Sequence, residues 1–379
     1  MALKILVSAG EASGDRYAAE LVAELRQRIP DAEFFGSAGP HMRDAGVEPV
    51  IRSESLSVVG LVEVLRHIPR IYGEFKTLVS ESERRRPDLI ILTDSPDFHI
   101  RVAKRLKHLG VPIIWYVAPQ FWAWRQWRVH KFRRLVDHLL CIFPFEKKFF
   151  EKHGVATTYV GHPLADAPAS DTTREDLCQK HGLDSNLPIV ALLPGSRRGE
   201  SMRHLPYLTD AVTRIGSAQA ANFVLAASAT TGSEFFRQRI PAENVRIVEN
   251  DTQNLLRFAD VALVASGTAT VEAALQGTPM VVFYRVTWST WVLGKPLVKL
   301  PYYSMVNLLA NREVVPELIQ TDCAGDRLAS AVLRLLNEPD EKSRMKSDLS
   351  ELRESLAGDV PAATKAAEAI CKRIESIAR

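Results

Sequence analysis

The chain alternates, twice over, between short apolar runs and stretches of helical periodicity. In the first half the runs expected to be strands are Lys4–Ser8, Leu89–Thr93, Ile113–Val117, Leu139–Phe143 and Thr158–Val160. Between them lie helical patterns such as Tyr17, Ala18, Leu21, Val22 and Leu25, and the stretch Arg101–Leu109, closed by Gly110 and then Pro112. Glycine accepts the left-handed turn that ends a helix and proline cannot continue one, so the pair is a stop signal. After Gly161–Asp166 and a polar stretch through Asn186 the pattern restarts, with runs at Ile189–Leu193, Phe223–Ala227, Arg246–Val248, Val261–Ala265 and Met280–Tyr284. Strands that are apolar throughout and separated by helices belong to parallel sheets covered on both faces. A chain of 379 residues also exceeds one comfortable core. The expected fold is therefore α/β, with two Rossmann-like domains facing across a cleft. Their spans are 1–165 and 166–340, and a helical tail over 341–379 is expected to pack back on an N-terminal domain, of its own chain or of a partner.

Composition excludes several classes. Hydrophobic residues make up 46% and charged ones 25%, which is ordinary for a globular protein. No uninterrupted apolar run is long enough to span a bilayer. The start, Met-Ala-Leu-Lys-Ile-Leu-Val, enters a strand with no basic, apolar and small-residue leader, so no signal peptide is expected. Four scattered cysteines (Cys141, Cys178, Cys323, Cys371) show no metal-ligand spacing and suit reduced thiols in the cytoplasm. Residues 1–165 carry 24 basic and 19 acidic side chains, while the remainder is slightly acidic. That excess is too mild for nucleic acid and suits an anionic surface.

In sheets of this kind the loops after the carboxyl ends of strands carry the chemistry. Leu192-Leu-Pro-Gly-Ser-Arg-Arg-Gly-Glu200 offers a Gly-Ser turn for close backbone approach, and Arg197 can fork onto a phosphate. A surface turn with solvated arginines explains the loop equally well. Ser266, Gly267, Thr268 and Ala269 end an apolar run at a helix start, where free N–H groups and the positive helix end suit a pyrophosphate. Glu272, about a turn on, can then accept from both ribose hydroxyls. A plain N-cap explains the turn taken alone, and the nucleotide reading gains from the Arg197 loop beside it. Neither GxGxxG after the first strand nor GxxxxGK[ST] occurs, which counts against NAD and P-loop chemistry.

Two acid-bearing loops belong to the first domain. Ser8-Ala-Gly-Glu-Ala-Ser-Gly-Asp15 has Gly10 for a tight turn, Glu11 pointing outward, and Ser13 or Asp15 to cap the next helix. In Leu92-Thr-Asp-Ser-Pro-Asp-Phe98, Asp94 suits a turn bond, while Asp97 is placed to act as general base on a hydroxyl. Asp-x-x-Asp also suits Mg²⁺. No metal is expected, because Arg197 and a helix N-terminus already neutralise a leaving diphosphate.

GEASGD, DSPDF, VAPQFWAWR, FPFEKKFF, VGHPLAD, LLPGSRRGE, ASGTATVEAAL and NLLANREVVPELIQ follow in this order over nearly the whole chain. Together they resemble the lipid-A-disaccharide synthases, glycosyltransferases of GT-B architecture. The resemblance implies transfer of 2,3-diacylglucosamine from its UDP derivative to 2,3-diacylglucosamine 1-phosphate. The products are a β-1′,6-linked disaccharide 1-phosphate and UDP, formed by inversion and with no metal or other cofactor. It also implies Asp97 as base, Glu11 as a second essential acid, UDP binding by Arg197, Ser266–Ala269 and Glu272, and Asn307 close to UDP. Two departures bear on the acceptor contacts: His99 stands where the family usually has Asn, and Val117-Ala-Pro-Gln-Phe-Trp-Ala-Trp124 where VSPSVWAW is usual.

The acylated substrates that the resemblance implies would place such an enzyme at the inner face of the inner membrane, as a peripheral protein, with room for a homodimer. Val58, Val59, Val62 and Leu65, continuing through Ile68 and Tyr72–Phe75, recur at helical spacing and suit an interfacial segment. A helix packed on its own sheet gives the same stripe. Residues 122–134 hold three Trp and five basic side chains with no acid, so Trp122, Trp124, Arg125 and Arg128 are expected at an anionic interface. An aromatic helix lining the cleft accounts for the Trp residues but not for the charges. A UDP-N-acetylglucosamine 2-epimerase would share the architecture and the UDP site without needing either segment.

Overall fold

The computed structural model describes residues 2–56, 61–123, 125–166, 170–228, 231–240, 245–295 and 300–378. The chain divides into two compact units, Met1–Asp166 with Leu356–Arg379, and Ala167–Ser355.

The first unit is built on seven parallel strands: β1 (Lys4–Ser8), β2 (Glu33–Ala38), β3 (Glu48–Arg52), β4 (Leu89–Thr93), β5 (Ile113–Tyr116), β6 (His138–Cys141) and β7 (Thr157–Tyr159). Their order is β3-β2-β1-β4-β5-β6-β7, so the winding reverses between β1 and β4. Such a reversal leaves a crevice beyond the two carboxyl ends, where neighbouring helices diverge to opposite faces. β2 and β3 have no counterpart among the expected strands. Their sequences EFFGSA and EPVIR mix charged, small and apolar residues, and pairing of β2 with β1 and of β3 with β2 decides their conformation. Gly36 interrupts the apolar run because a Cβ there would sit 1.9 Å from the Val7 carbonyl oxygen.

The helix Ala12–Arg28 buries Tyr17, Ala18, Leu21, Val22 and Leu25. The C-terminal helix Ala362–Ala378 packs on it, and the Ala362 N–H donates to Asp166 at 2.6 Å. Elsewhere Trp115, Phe132 and Phe150 form a chain of aromatic contacts with ring separations of 5.1 and 5.7 Å.

The second unit repeats the plan with β8 (Ile189–Leu193), β9 (Asn222–Ala227), β10 (Arg246–Glu249), β11 (Val261–Ala265), β12 (Met280–Tyr284) and β13 (Glu317–Ile319). The order β10-β9-β8-β11-β12-β13 puts its reversal between β8 and β11. Every residue of β8 and β11 is buried, as their unbroken apolar sequences require. Each Val, Leu or Ile removed from water there contributes roughly 1.5–3 kcal/mol. Helix Gly325–Asn337 packs so closely on Arg198–Ala218 that a Cβ on Gly325 would lie 2.0 Å from an Asp210 oxygen. The segment expected as a single tail is two helices. Pro339–Leu356 lies against the second unit, where Met345, Leu349 and Leu352 are buried and Lys342 reaches Asp260 at 3.1 Å, whereas Ala362–Ala378 belongs to the first.

Candidate active site

At the reversal point of the first unit the carboxylate of Asp94 reaches across from β4 to the loop after β1. It accepts from the N–H of Gly10 at 2.8 Å and of Glu11 at 3.1 Å, occupying the start of helix Ala12–Arg28. Burial, then the charge of Glu11, push Asp94 well above the usual carboxylate range, while the two N–H donors pull the other way. Close approach makes glycine necessary here. A Cβ on Gly14 would lie 1.6 Å from Asp94 Oδ2, and one on Gly10 would lie 2.3 Å from Ser95 Oγ.

Asp94 and Ser95 both adopt left-handed backbone, with φ of 50° and 35°. Non-glycine residues hold that conformation only when their surroundings impose it. Here His99 supplies the constraint. It is fully buried, with Nδ1 3.0 Å from the Asp94 carbonyl oxygen and Nε2 2.8 Å from Ser8 Oγ. Burial lowers its pKa to about 4, so the ring is neutral. Its Nδ1–H donates to the carbonyl, and Nε2 accepts from Ser8. Val117, at the exit of β5, is a β-branched residue at φ 68°, a further left-handed exit on the same sheet.

Asp97, the second residue of helix Pro96–Leu106, projects outward with 75% of its side chain exposed. Its Oδ1 accepts from Arg128 Nη2 at 2.6 Å, and the Arg128 guanidinium lies 5.1 Å from the Phe121 ring centroid. Arg128 is thus tied to Asp97 and mostly buried, not free to meet an anionic surface. Trp122 is likewise buried, because its Nε1–H donates to Glu146 at 3.1 Å inside the protein. Arg125 is exposed, with φ 55°. Val58, Val59 and Trp124 lie outside the described residues, as do the side chains of Val62 and Leu65. Glu11 and Ser13 are exposed at the start of their helix. Asp15 is buried and does not cap its own helix. It accepts from the N–H groups of Gly39, His41 and Met42 at 2.7 to 3.2 Å, fixing the start of a different helix, Pro40–Asp44.

In the second unit the loop after β8 ends in Gly195 at φ 107°, where a Cβ would meet Glu200 at 2.3 Å. Ser228 and Thr231 hydroxyls brace the loop by donating to the Ser196 carbonyl at 3.1 and 2.9 Å. Arg197 caps helix Arg198–Ala218 with its backbone and leaves its side chain exposed.

The loop after β11 turns through Ser266 and Gly267 into helix Thr268–Leu275. Thr270 N–H and Oγ1–H both return to the Gly267 carbonyl, at 3.1 and 2.7 Å. A Cβ on Gly267 would meet nothing within 4 Å, so open space lies over a helix start with no side-chain cap. Glu272, half-buried, is in the second turn of this helix rather than the first.

Asn307 is fully buried and saturated. Its amide donates to the Val315 carbonyl and to Glu317, and its oxygen accepts from the N–H groups of Val314 and Val315, all within 3.0 Å. It has no capacity left for a ligand. Glu317 in turn accepts from the N–H groups of Tyr303 and Ser304 at 2.8 Å, and the Tyr303 carbonyl accepts from Ser266 Oγ at 2.7 Å. Asn307 therefore acts on the Ser266 turn from behind.

Sequence reasoning misses two features here. One is His204, whose Nδ1–H donates to the Pro194 carbonyl at 2.8 Å while Nε2 accepts from the Arg285 N–H at 3.1 Å, joining the exits of β8 and β12. The other is a cavity of about 630 Å³ beyond β12 and β13, lined among others by Arg203, Arg285, Trp288, Trp291, Lys295 and Tyr303. The available signal is charge: no Asp or Glu occurs between Glu272 and Glu313.

The profile of the family described as Lipid-A-disaccharide synthetase matches residues 5–372. A lipid-A-disaccharide synthase of Solibacter usitatus is 54% identical, covering 98% of both chains, and one of Myxococcus xanthus is 43% identical, covering 97% of this chain and 96% of its own. Among solved structures, a UDP-N-acetylglucosamine 2-epimerase from Listeria monocytogenes, itself described as putative, superimposes with a TM-score of 0.69 at 13% identity, covering 99% of this chain and 97% of the other. The calicheamicin glycosyltransferase CalG4 superimposes with 0.63 at 14%, covering 100% of both. At such identities these two establish the fold, two parallel-sheet α/β units of the GT-B class. With the matched profile and relatives spanning nearly its whole length, the chain belongs to the lipid-A-disaccharide synthetase family and is a glycosyltransferase.

Proposed function

We propose that the protein transfers a 2,3-diacylglucosamine unit from its UDP derivative to the 6-hydroxyl of 2,3-diacylglucosamine 1-phosphate, with inversion and without a metal. Asp97 takes the proton of the 6-hydroxyl as that oxygen attacks the anomeric carbon opposite UDP. The bond to the diphosphate oxygen breaks, and UDP leaves with the electron pair. A single displacement with inversion requires one base and no enzymic nucleophile, whereas a retaining double displacement would require a nucleophile as well. Charge developing on the β-phosphate is stabilised by Arg197 and the N–H groups at 266–269. In this reading the first unit holds the acceptor, with Glu11 as a second acid, and the second unit holds the donor, with Glu272 on the ribose.

The observation that carries the base assignment is the contrast between Asp94 and Asp97. Asp94 commits both oxygens to backbone N–H groups of its own unit, whereas Asp97 presents its carboxylate to solvent on an Arg128 hinge. A hydroxyl can reach the second and not the first. Peripheral attachment to an anionic inner-membrane surface completes the reading. It draws support from helix Leu61–Arg85, which leaves Ile68 50% and Tyr72 55% exposed with Lys76 4.7 Å over the Tyr72 ring, and from Trp127, 69% exposed. Among the described residues no helix is long and apolar enough to cross a membrane.

The test is UDP release from the acylated nucleotide-sugar in detergent micelles with EDTA, with and without acceptor. Wild type is expected to release UDP only with acceptor, and Asp97→Asn to lose activity by about 10²–10⁴-fold while still binding UDP. Release without acceptor would fit an epimerase or hydrolase and defeat the reading. Full activity in Asp97→Asn would remove the base assignment.

A further inference from the structure

The cavity beyond β12 and β13 has no part in the mechanism above, yet residues of its lining are hydrogen-bonded toward the loops assigned to the nucleotide. Tyr303, on its rim, is bonded through its carbonyl to Ser266, and Arg285 is linked through His204 to Pro194 of the Arg197 loop. The Ser266 turn proposed to meet the diphosphate is thus one hydrogen bond from the cavity lining. We propose that the pocket receives an acyl chain of the nucleotide-sugar donor, an inference that rests on the donor reading just given.

The lining matches an amphiphile. Trp291 and Tyr303 meet with ring centroids 5.9 Å apart, Ile319 adds an aliphatic wall, and Trp288 stands at the mouth, 77% exposed. An unacylated sugar offers nothing apolar enough to require that surface. Cations stand on the aromatic faces: Lys295 Nζ is 5.6 Å from the Trp291 centroid, and the Arg285 guanidinium is 4.5 Å from that of Tyr207. They suit the acyl carbonyls where a chain joins its sugar. Asp322, the acid in the lining, is neutralised by an ion pair with Arg327.

The pocket is also preorganised. Gln320 holds a left-handed backbone at φ 55° and brackets Val286, accepting from its N–H at 2.7 Å and donating to its carbonyl at 3.3 Å. Arg285 Nη1 donates to the Gln320 carbonyl at 3.0 Å. The volume of about 630 Å³ falls within the span of roughly 300–1,000 Å³ usual for small-ligand sites.

The experiment compares binding of UDP, UDP-glucosamine and a soluble short-chain UDP-2,3-diacylglucosamine to wild type, Trp291→Ala and Trp288→Ser, by calorimetry on the full chain. Wild type is expected to prefer the acylated donor. Trp291→Ala should lower that preference on the order of tenfold or more while leaving UDP affinity within about twofold. If Trp291→Ala loses UDP binding through misfolding, the exposed Trp288→Ser decides the matter alone, with the same expected direction. Wild-type preference that survives both substitutions overturns the pocket assignment and leaves the donor reading standing. Wild type that binds acylated and unacylated nucleotides alike sinks the donor reading itself, and this inference with it. A third arm measures sedimentation with phosphatidylglycerol and phosphatidylcholine vesicles. Variants that lose association with the anionic vesicles but keep the acyl preference would make the pocket a membrane contact and overturn the proposal.

Discussion

A single oxygen decides much at the reversal point of the first sheet. Asp94 Oδ2 occupies the space a methyl group on residue 14 would need, and Asp94 holds the strained turn from which Asp97 projects. Gly14→Ala is therefore expected to destabilise the protein by roughly 1–3 kcal/mol through overpacking and to reduce transfer. Adding Asp94→Ala should recover melting temperature but not activity, since the turn then loses its anchor. Thermal denaturation of the single and double variants checks this, and a single variant that melts like wild type refutes it. The exposed acids and the small-residue turns are legible in sequence because each sits within a few residues of the end of an apolar run. Asp15 is misread for an equally physical reason: its position suits capping the helix it begins, and only the fold brings Gly39, His41 and Met42 to it. His99 looks like an odd acceptor residue in sequence, yet its two ring nitrogens serve Ser8 and Asp94 instead.

Among the helices, Pro144–Lys152 carries a titration that the sequence does not announce. Glu146 sits in its first turn, buried beneath Trp122, and burial pushes its pKa up to about 8 despite the N–H groups of Trp122 and Phe143 donating to it. The folded protein thus binds a proton that the unfolded chain releases near the ordinary glutamate value. Stability from this group is complete below that value and is lost as pH rises toward about 8. Between pH 6.5 and 8 the loss is on the order of 1–2 kcal/mol. Glu146→Gln should flatten that slope in denaturant midpoints. An unchanged slope would mean that Glu146 is ionised throughout. Strands made wholly of apolar residues are evident from sequence alone, whereas β2 and β3 are not. Their conformation is imposed by a neighbouring edge rather than by their own side chains.

At the scale of the whole molecule, the chain leaves its first unit near Asp166 and returns at Leu356. Ala366, Ala367 and Ile370 are buried on the return, and the packing of Ala362–Ala378 on Ala12–Arg28 makes the last helix part of the first core. Deleting residues 357–379 should destabilise the first unit and abolish transfer, while UDP still raises the melting temperature of the second. Ile370→Ala is the milder version, at about 2–5 kcal/mol. Loss of the UDP shift on truncation would contradict this division. The returning helix also sets the order of events at the ribosome. The first unit cannot be finished until helix Ala362–Ala378 emerges, whereas the second is complete as soon as Ser355 is clear. The newborn chain therefore has every residue of its second unit in hand before its first unit can close its own core.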